Sequence, residues 1–133
     1  MTVSGEAAIP AGRRGAVLVV DDDADHREVL REVLSDQGYA VSCARDGAEA
    51  LAVLDGLRPS IILLDLNMPN MSGLEFRAAQ VRDPSLRAIP TVVMTAVDRM
   101  HERVGVPAPE ATLAKPVKLA QLLSILNRYA QDT

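Results

Sequence analysis

The sequence feature that most constrains the fold is a run of four aliphatic residues, Ile61 to Leu64, that leads directly into Asp65. A short, unbroken apolar run bounded by turn-forming residues is typical of a central strand of a parallel sheet, buried on both faces. Asp65 is therefore expected where the strand ends and a loop rich in Asn, Pro and Gly begins. In open α/β sheets the carboxyl ends of the strands carry the functional groups. A second interpretation stays open at this point, in which Asp65 only caps the following helix.

Length and composition indicate one small domain with an aliphatic core. The chain has 133 residues, 48% of them hydrophobic, but only two Tyr and one Phe. A chain of this length is expected to form a single domain. Residues 1–14 are punctuated by Gly and Pro without any periodicity, so we expect a flexible tail there and a domain over residues 15–131.

Charge and cysteine usage argue against several functional classes. A net charge of -4 disfavours nucleic acid as the direct partner, because phosphate binding needs a basic face. Cys43 is the only cysteine, so an intrachain disulfide and a cysteine-built zinc site are excluded. The sequence contains no apolar segment long enough to cross a bilayer, and its first 15 residues lack the apolar stretch of a signal peptide. We therefore expect a soluble, cytoplasmic protein without a membrane partner.

Strand and helix patterns alternate five times, which predicts an α/β fold with a parallel sheet and helices on both faces. The expected strands are 16–20, 39–44, 61–64, 90–94 and 111–114, and the expected helices are 24–37, 47–55, 72–81, 98–104 and 118–129. The fourth helix is short or irregular because residues 105–109 are rich in Gly and Pro. The apolar positions expected to face the core are Val29, Leu30, Val33 and Leu34; Ala48, Leu51, Ala52 and Leu54; Leu74, Ala78 and Val81; and Leu119, Leu122, Leu126 and Tyr129.

Polar residues follow four of these strands and are expected to meet at one edge of the sheet. They are Asp21 and Asp22, Asp65, Thr95, and Lys115. Each has an alternative explanation alone, since an Asp or Thr can cap a helix and a Lys can be a solvated loop residue. Together, three carboxylates need a cation, and Mg²⁺ accepts carboxylates while keeping positions for water and phosphate oxygens. An Asp beside that ion can act as a nucleophile toward phosphorus, with a Lys and a Thr hydroxyl stabilising the transferred group.

Four segments at these strand ends resemble the receiver domain of bacterial response regulators. They are Val-Leu-Val-Val-Asp-Asp-Asp (17–23), Leu-Leu-Asp-Leu-Asn-Met-Pro-Asn-Met-Ser-Gly (63–73), Val-Val-Met-Thr-Ala (92–96) and Ala-Lys-Pro (114–116). The likeness covers about residues 15–129. It implies a flavodoxin-like, doubly wound, five-stranded parallel sheet of order 2-1-3-4-5.

The resemblance also implies a function in two-component signalling. Asp65 would accept a phosphoryl group from a phosphohistidine on a sensor histidine kinase or a histidine phosphotransfer protein. Lys115 would pair with the phosphoryl oxygens and Thr95 would move toward them. The chain would catalyse its own phosphorylation and dephosphorylation at Asp65, and would not be an enzyme acting on other substrates. Its changed surface would then be offered to an unknown downstream protein.

The metal ligands implied by the resemblance are Asp21, Asp22, Asp65 and the backbone carbonyl of Asn67, and the cofactor is Mg²⁺. The resemblance further implies that the Lys115–Pro116 peptide bond is cis.

Two alternatives remain beside the phosphoacceptor. Thr112 stands where receivers usually carry an aromatic residue, so a receiver-like docking module that works without phosphorylation is the first. A Mg²⁺-dependent phosphohydrolase that uses Asp21 and Asp23 as nucleophile and acid is the second, disfavoured because Asp65 would then be idle. Because the sequence stops soon after the last helix, we expect a stand-alone domain without its own output domain.

Overall fold

The computed structural model describes residues 14–66, 73–96 and 109–129. Within these ranges, five strands form one parallel sheet of order β2-β1-β3-β4-β5. The strands are β1 (Ala16–Val20), β2 (Ala40–Ala44), β3 (Ile61–Asp65), β4 (Thr91–Ala96) and β5 (Ala111–Lys115). The predicted doubly wound sheet and its strand order are confirmed.

The described helices are α1 (Ala24–Asp36), α2 (Gly47–Leu54), α3 (Gly73–Arg82), α4 (Pro84–Arg87) and α5 (Leu119–Tyr129). Helix α1 ends before Gly38, whose φ of 97° only glycine adopts easily. Between α3 and β4, where the sequence analysis predicts no helix, the chain forms the one-turn helix α4, capped by Asp83. The predicted helix over residues 98–104 and the predicted tail lie outside the described residues, apart from Arg14. None of the described helices combines the length and apolar character needed to cross a membrane.

Alternating side chains of the central strands divide the core into two layers. Val19, Leu63 and Met94 point to one face of the sheet, where they pack with Leu34 of α1 and Leu126 of α5. The intervening residues of the same strands point to the other face and pack with Ala50 of α2 and Phe76 of α3. Because the central strands are buried on both sides, their registers are fixed and their carboxyl ends are held at one edge.

The predicted buried faces of α1 and α5 are partly wrong. Leu30 and Leu34 of α1 and Leu122 and Leu126 of α5 are buried, as expected. Val29 of α1 is instead 56% exposed and Leu119 of α5 is 46% exposed. Leu119 is the first residue of α5, and Val29 lies in the amino-terminal half of α1, which is the half nearer the carboxyl edge of the sheet. Both residues line the groove described below.

The predicted faces of α2 and α3 are also partly wrong. In α2 the residue fully buried against the sheet is Ala50, whereas Ala48 and Ala52 are exposed. In α3 the buried residues are Gly73, Phe76, Arg77 and Gln80. Ala78 is exposed and Val81 is half-buried, and the Leu74 side chain lies outside the described set. The side chains of Arg77 and Gln80 are buried and form hydrogen bonds, which a hydropathy pattern cannot predict.

Candidate functional site

Three carboxylates meet at the carboxyl edge of the sheet. Asp21 directly follows β1 and Asp65 ends β3, and the pairing of Val20 with Leu64 sets these two acids side by side. One oxygen from each of Asp21, Asp22 and Asp65 lies within 4.8 Å of the other two. Asp21 and Asp65 are 0% and 1% exposed, whereas Asp22 is exposed. Two ionised carboxylates at that separation repel by roughly 3.5 kcal/mol at an effective dielectric constant near 20, so the cluster needs positive charge.

Lys115 supplies one positive charge to this cluster. It is the last residue of β5, and its Nζ lies 2.9 Å from Oδ2 of Asp65. Since β4 lies between β3 and β5, the lysine side chain spans a whole strand to make this contact. A charge-assisted bond to a buried carboxylate excludes the alternative of a solvated loop lysine. The Lys115–Pro116 peptide bond is cis, as the resemblance implied.

Thr95 lies beside this cluster without bonding to it. On β4 the neighbour of Asp65 is Met94, and Thr95 comes one residue later at the same edge. Thr95 is 1% exposed, and its Oγ1 makes no hydrogen bond to any residue that the structure describes. A buried hydroxyl without a partner costs about 1–3 kcal/mol. The Thr95 hydroxyl is therefore a donor held at the edge and available to a ligand.

His26 also belongs to the site, although the sequence analysis did not identify it. Its Nδ1 contacts Oδ2 of Asp21 from the first turn of α1, while Oδ1 of Asp21 accepts the Asp23 backbone N–H at 2.9 Å. Both Asp21 oxygens are thus engaged, which fixes the orientation of the carboxylate. The position of His26 in the sequence could have identified it. Three residues separate β1 from α1, so the first turn of α1, which contains His26, lies over the end of β1.

Asp23 has a structural role at the start of α1. As the N-cap, its Oδ1 accepts the backbone N–H groups of Asp25 and His26 at 3.0 and 3.2 Å. Asp23 is exposed and is not a member of the carboxylate cluster. These contacts argue against the phosphohydrolase alternative, in which Asp23 would have to act as a general acid beside Asp21.

A groove of about 560 Å³ starts at the acids and continues between α1 and α5. Asp22, His26, Asp65 and Lys115 line its polar end. Its apolar walls are formed by Val29, Leu30, Val33, Pro116, Val117, Leu119 and Leu122. Among the described residues, the two large hydrophobic side chains that remain exposed, Val29 and Leu119, both lie in this groove.

The donor set of the cluster fits Mg²⁺. The three carboxylates offer hard oxygen ligands, one from each lying within 4.8 Å of the other two, and the cluster contains no thiolate that would select a softer metal. The open groove beside Asp22 leaves room for the waters that Mg²⁺ retains. Asn67, whose backbone carbonyl the resemblance adds to this set, lies outside the described residues.

Sequence comparison gives an independent result for the same region. The family model described as the response regulator receiver domain matches residues 17–127. The response regulator MprA of Mycobacterium sp. (strain KMS) is 44% identical over 119 residues, which are 88% of this chain and 51% of MprA. The chain therefore spans about half the length of the curated relatives it matches.

Solved structures agree with the sequence match. The chemotaxis response regulator CheY4 of Vibrio cholerae superposes with a TM-score of 0.79 at 33% identity, covering 87% of this chain and 98% of CheY4. The response regulator TrrA of Thermotoga maritima, solved in complex with Mg²⁺-BeF, gives a TM-score of 0.76 at 25% identity, covering 86% and 97% of the two chains.

Proposed function

The chain belongs to the response regulator receiver domain family, and we propose that it is a phosphoacceptor switch in which Asp65 takes a phosphoryl group from a phosphohistidine. The donor would be a sensor histidine kinase or a histidine phosphotransfer protein, and the domain would extend over residues 15–131. The observation that carries this proposal is the 2.9 Å contact between Lys115 Nζ and Asp65 Oδ2 at the centre of a three-carboxylate cluster. The adjacent ammonium favours the charged form of the carboxylate, which is its nucleophilic form.

In the proposed transfer, a carboxylate oxygen of Asp65 attacks the phosphorus atom of the phosphohistidine. The P–O bond forms as the P–N bond breaks, and the bonding electron pair returns to the imidazole nitrogen of the donor. Charge accumulates on the three equatorial phosphoryl oxygens, so positive groups and hydrogen-bond donors must already be in place. The Lys115 ammonium and the buried Thr95 hydroxyl are the groups we assign to this role. Attack by water on the same phosphorus would later return Asp65 to its free carboxylate.

We assign Asp21, Asp22, Asp65 and the Asn67 carbonyl as the residues that hold Mg²⁺. The bound ion supplies positive charge to the acids and to the phosphoryl oxygens. The clustering of carboxylate oxygens within 4.8 Å and the hard character of these ligands support the assignment. The Asp23 N–H and His26 keep the Asp21 carboxylate in one orientation, so its lone pairs are arranged before the ion arrives.

The groove between α1 and α5 is the surface that we propose for the phosphodonor protein. It opens directly at Asp65, so a phosphohistidine carried on a helix packed against Val29 and Leu119 would reach the acceptor. Burial of exposed apolar side chains favours association, and here they adjoin the reacting carboxylate. Arg27 of α1 has an internal role beside this surface, because its Nη1 donates to the Asp21 carbonyl oxygen at 2.7 Å.

The alternative function, a docking module that works without phosphorylation, differs from the proposed one in how a downstream protein recognises the domain. Thr112, the second residue of β5, stands where the family usually carries an aromatic residue, and it is half-buried. A threonine lacks the ring that could exchange between a buried and an exposed position as Thr95 moves. In the proposed function, a downstream protein recognises the phosphorylated surface by other side chains; in the alternative, it binds the unmodified domain.

Intact-mass measurement after incubation with a small phosphodonor and Mg²⁺ tests the proposal. We expect a single labile phosphate on the wild-type chain, none on Asp65→Asn, and normal labelling of Asp55→Asn, a matched change at the exposed C-cap of α2. Removing Mg²⁺ with a chelator should abolish labelling. An adduct that survives in Asp65→Asn would contradict the assignment, and no adduct on the wild type would favour the docking module.

A further inference from the structure

A buried polar network lies beneath the amino-terminal edge of the sheet, at the opposite end from the acids. Gln80 of α3 is fully buried, and its Nε2 donates to the Leu86 carbonyl oxygen and to Thr91 Oγ1, both at 3.0 Å. Arg77, 2% exposed, donates through Nη1 to Oε1 of Gln80 at 2.8 Å. Buried polar groups of this kind are stabilising only when they are satisfied. The network therefore ties α3 to Thr91, the first residue of β4.

Glu110 extends this network to the start of β5. The Thr91 backbone N–H donates to Oε1 of Glu110 at 2.7 Å, and the Glu110 backbone N–H donates to the Thr91 carbonyl oxygen at 2.9 Å. Glu110 therefore bonds to the Thr91 backbone twice, once through the Glu110 side chain and once through the Glu110 backbone N–H. Burial lowers the pKa of the Arg77 guanidinium, and the negative charge of Glu110 opposes that effect.

A contact that fixes the register of β5 against β4 is needed, because the sequence of β5 specifies this register only weakly. Among the described strands, β5 bonds only to β4, at the edge of the sheet, and Leu113 is the single buried residue of β5. Small residues, Ala111 and Ala114, occupy two of the remaining positions. Strands with few buried side chains are prone to register slippage.

The position of Lys115 depends directly on that register. Lys115 pairs with Ala96 at the far end of the strand from Glu110. A slip of one residue moves a side chain by about 3.3 Å along the strand and turns it to the opposite face. The contact between Lys115 Nζ and Asp65 Oδ2 is only 2.9 Å long, so a slip of this size would break it.

We propose that Glu110 is a positioning residue for Lys115: its paired bonds to Thr91 fix the register of β5 and so place the ammonium on Asp65. The expected effect of Glu110 on the phosphorylation rate rests on the proposed phosphoacceptor function, whereas its expected effect on the position of the Lys115 ammonium does not. Glu110 does not touch the acids, and it acts through the strand that separates it from Lys115.

Three variants separate positioning from general stability. Glu110→Ala removes the acceptor for the Thr91 N–H, and Glu110→Gln keeps an oxygen acceptor at the same length. Glu49→Ala is the matched control, because Glu49 Oε1 accepts the Arg45 backbone N–H at an equal 2.7 Å, in α2 away from β5. Amide hydrogen exchange of β5 and the NMR signal of the Lys115 ammonium report the geometry without any need for phosphorylation.

We expect Glu110→Ala to speed the exchange of β5 amides and to shift the Lys115 ammonium signal. It should also slow phosphorylation by a small donor by about 100-fold or more, because a misplacement of about 1 Å can already cost about 100-fold and a slip moves the side chain by about 3.3 Å. Glu110→Gln should restore the ammonium signal and most of the rate, and Glu49→Ala should leave both unchanged. Equal effects of Glu110→Ala and Glu49→Ala, or an unshifted ammonium in Glu110→Ala, would overturn the proposal. A wild-type chain that accepts no phosphate would refute the phosphoacceptor function alone, and the exchange and NMR results would still decide the role of Glu110.

Discussion

Replacing Gly73 with alanine is predicted to destabilise the fold at the point where α3 meets the end of β3. An added Cβ would lie 2.5 Å from the Asp65 carbonyl oxygen and 2.5 Å from Leu66 Cα. Both atoms belong to the backbone, so relief requires a shift of about 0.9 Å toward an ordinary 3.4 Å contact. Overpacking of this kind costs about 1–3 kcal/mol, and the higher helix propensity of alanine offsets at most about 1 kcal/mol. Because both clashing atoms are backbone, we expect the upper end of the overpacking range, about 3 kcal/mol, and a net loss of about 2 kcal/mol.

Urea denaturation of Gly73→Ala and Gly56→Ala measures this loss against a matched control. Apart from its two chain neighbours, no residue that the structure describes places an atom within 4 Å of the Cβ position at Gly56, so alanine there should be neutral or stabilising by up to about 1 kcal/mol. Thermal unfolding of Gly73→Ala should begin lower by about 8 °C, at about 4 °C for each kcal/mol in a domain of this size. Because the displaced backbone carries Asp65, phosphorylation should also slow. A Gly73→Ala stability within about 0.5 kcal/mol of the wild type would refute the steric argument.

Three further predictions concern single polar groups. Asp46→Ala removes the acceptor of the Glu49 N–H at 2.8 Å and should lower the free energy of unfolding by about 1 kcal/mol in urea titrations, with Asp46→Asn recovering most of it. Hydrogen bonds from Ser85 hold the pKa of Asp83 below its ordinary value, so the stability they confer is present above that ordinary value and is lost as the pH falls through the folded-state pKa. Ser85→Ala should raise the pKa of Asp83 in an NMR titration, and an unchanged titration would exclude this cause. Thr95→Val should stabilise the unphosphorylated domain by about 1 kcal/mol in denaturant while slowing phosphorylation; a destabilised variant would show that the hydroxyl is already satisfied.

The sheet could be predicted from the sequence because the central strands consist mainly of consecutive apolar residues. Ile61 to Leu64 is fully buried, and a run of four apolar residues between turn residues has the length of a strand and is too short for a typical helix. The acids at the strand ends followed from the same logic, since parallel strands share a carboxyl edge. The contact between Lys115 and Asp65 and the clustering of Asp21 with Asp22 agree with that expectation.

The helix faces were harder to predict because burial there does not follow hydropathy. Arg77 and Gln80 are buried through hydrogen bonds, so a search for apolar residues at helical spacing selected Ala78 instead. Val29 and Leu119 are apolar and were assigned to the core, yet both face the groove. A pattern can identify an apolar face, but it cannot distinguish a face packed on the sheet from one left open beside a site.

The two-layer core has a practical consequence for spectroscopy. The chain lacks tryptophan and has one phenylalanine, and that ring, Phe76, is fully buried on the α2–α3 side of the sheet. Tyr39 is buried on the α1–α5 side, with its hydroxyl 3.1 Å from the Asn127 side-chain oxygen. Each layer thus carries its own natural aromatic reporter, so ring resonances can show which half of the molecule feels a modification at Asp65 without the introduction of a label.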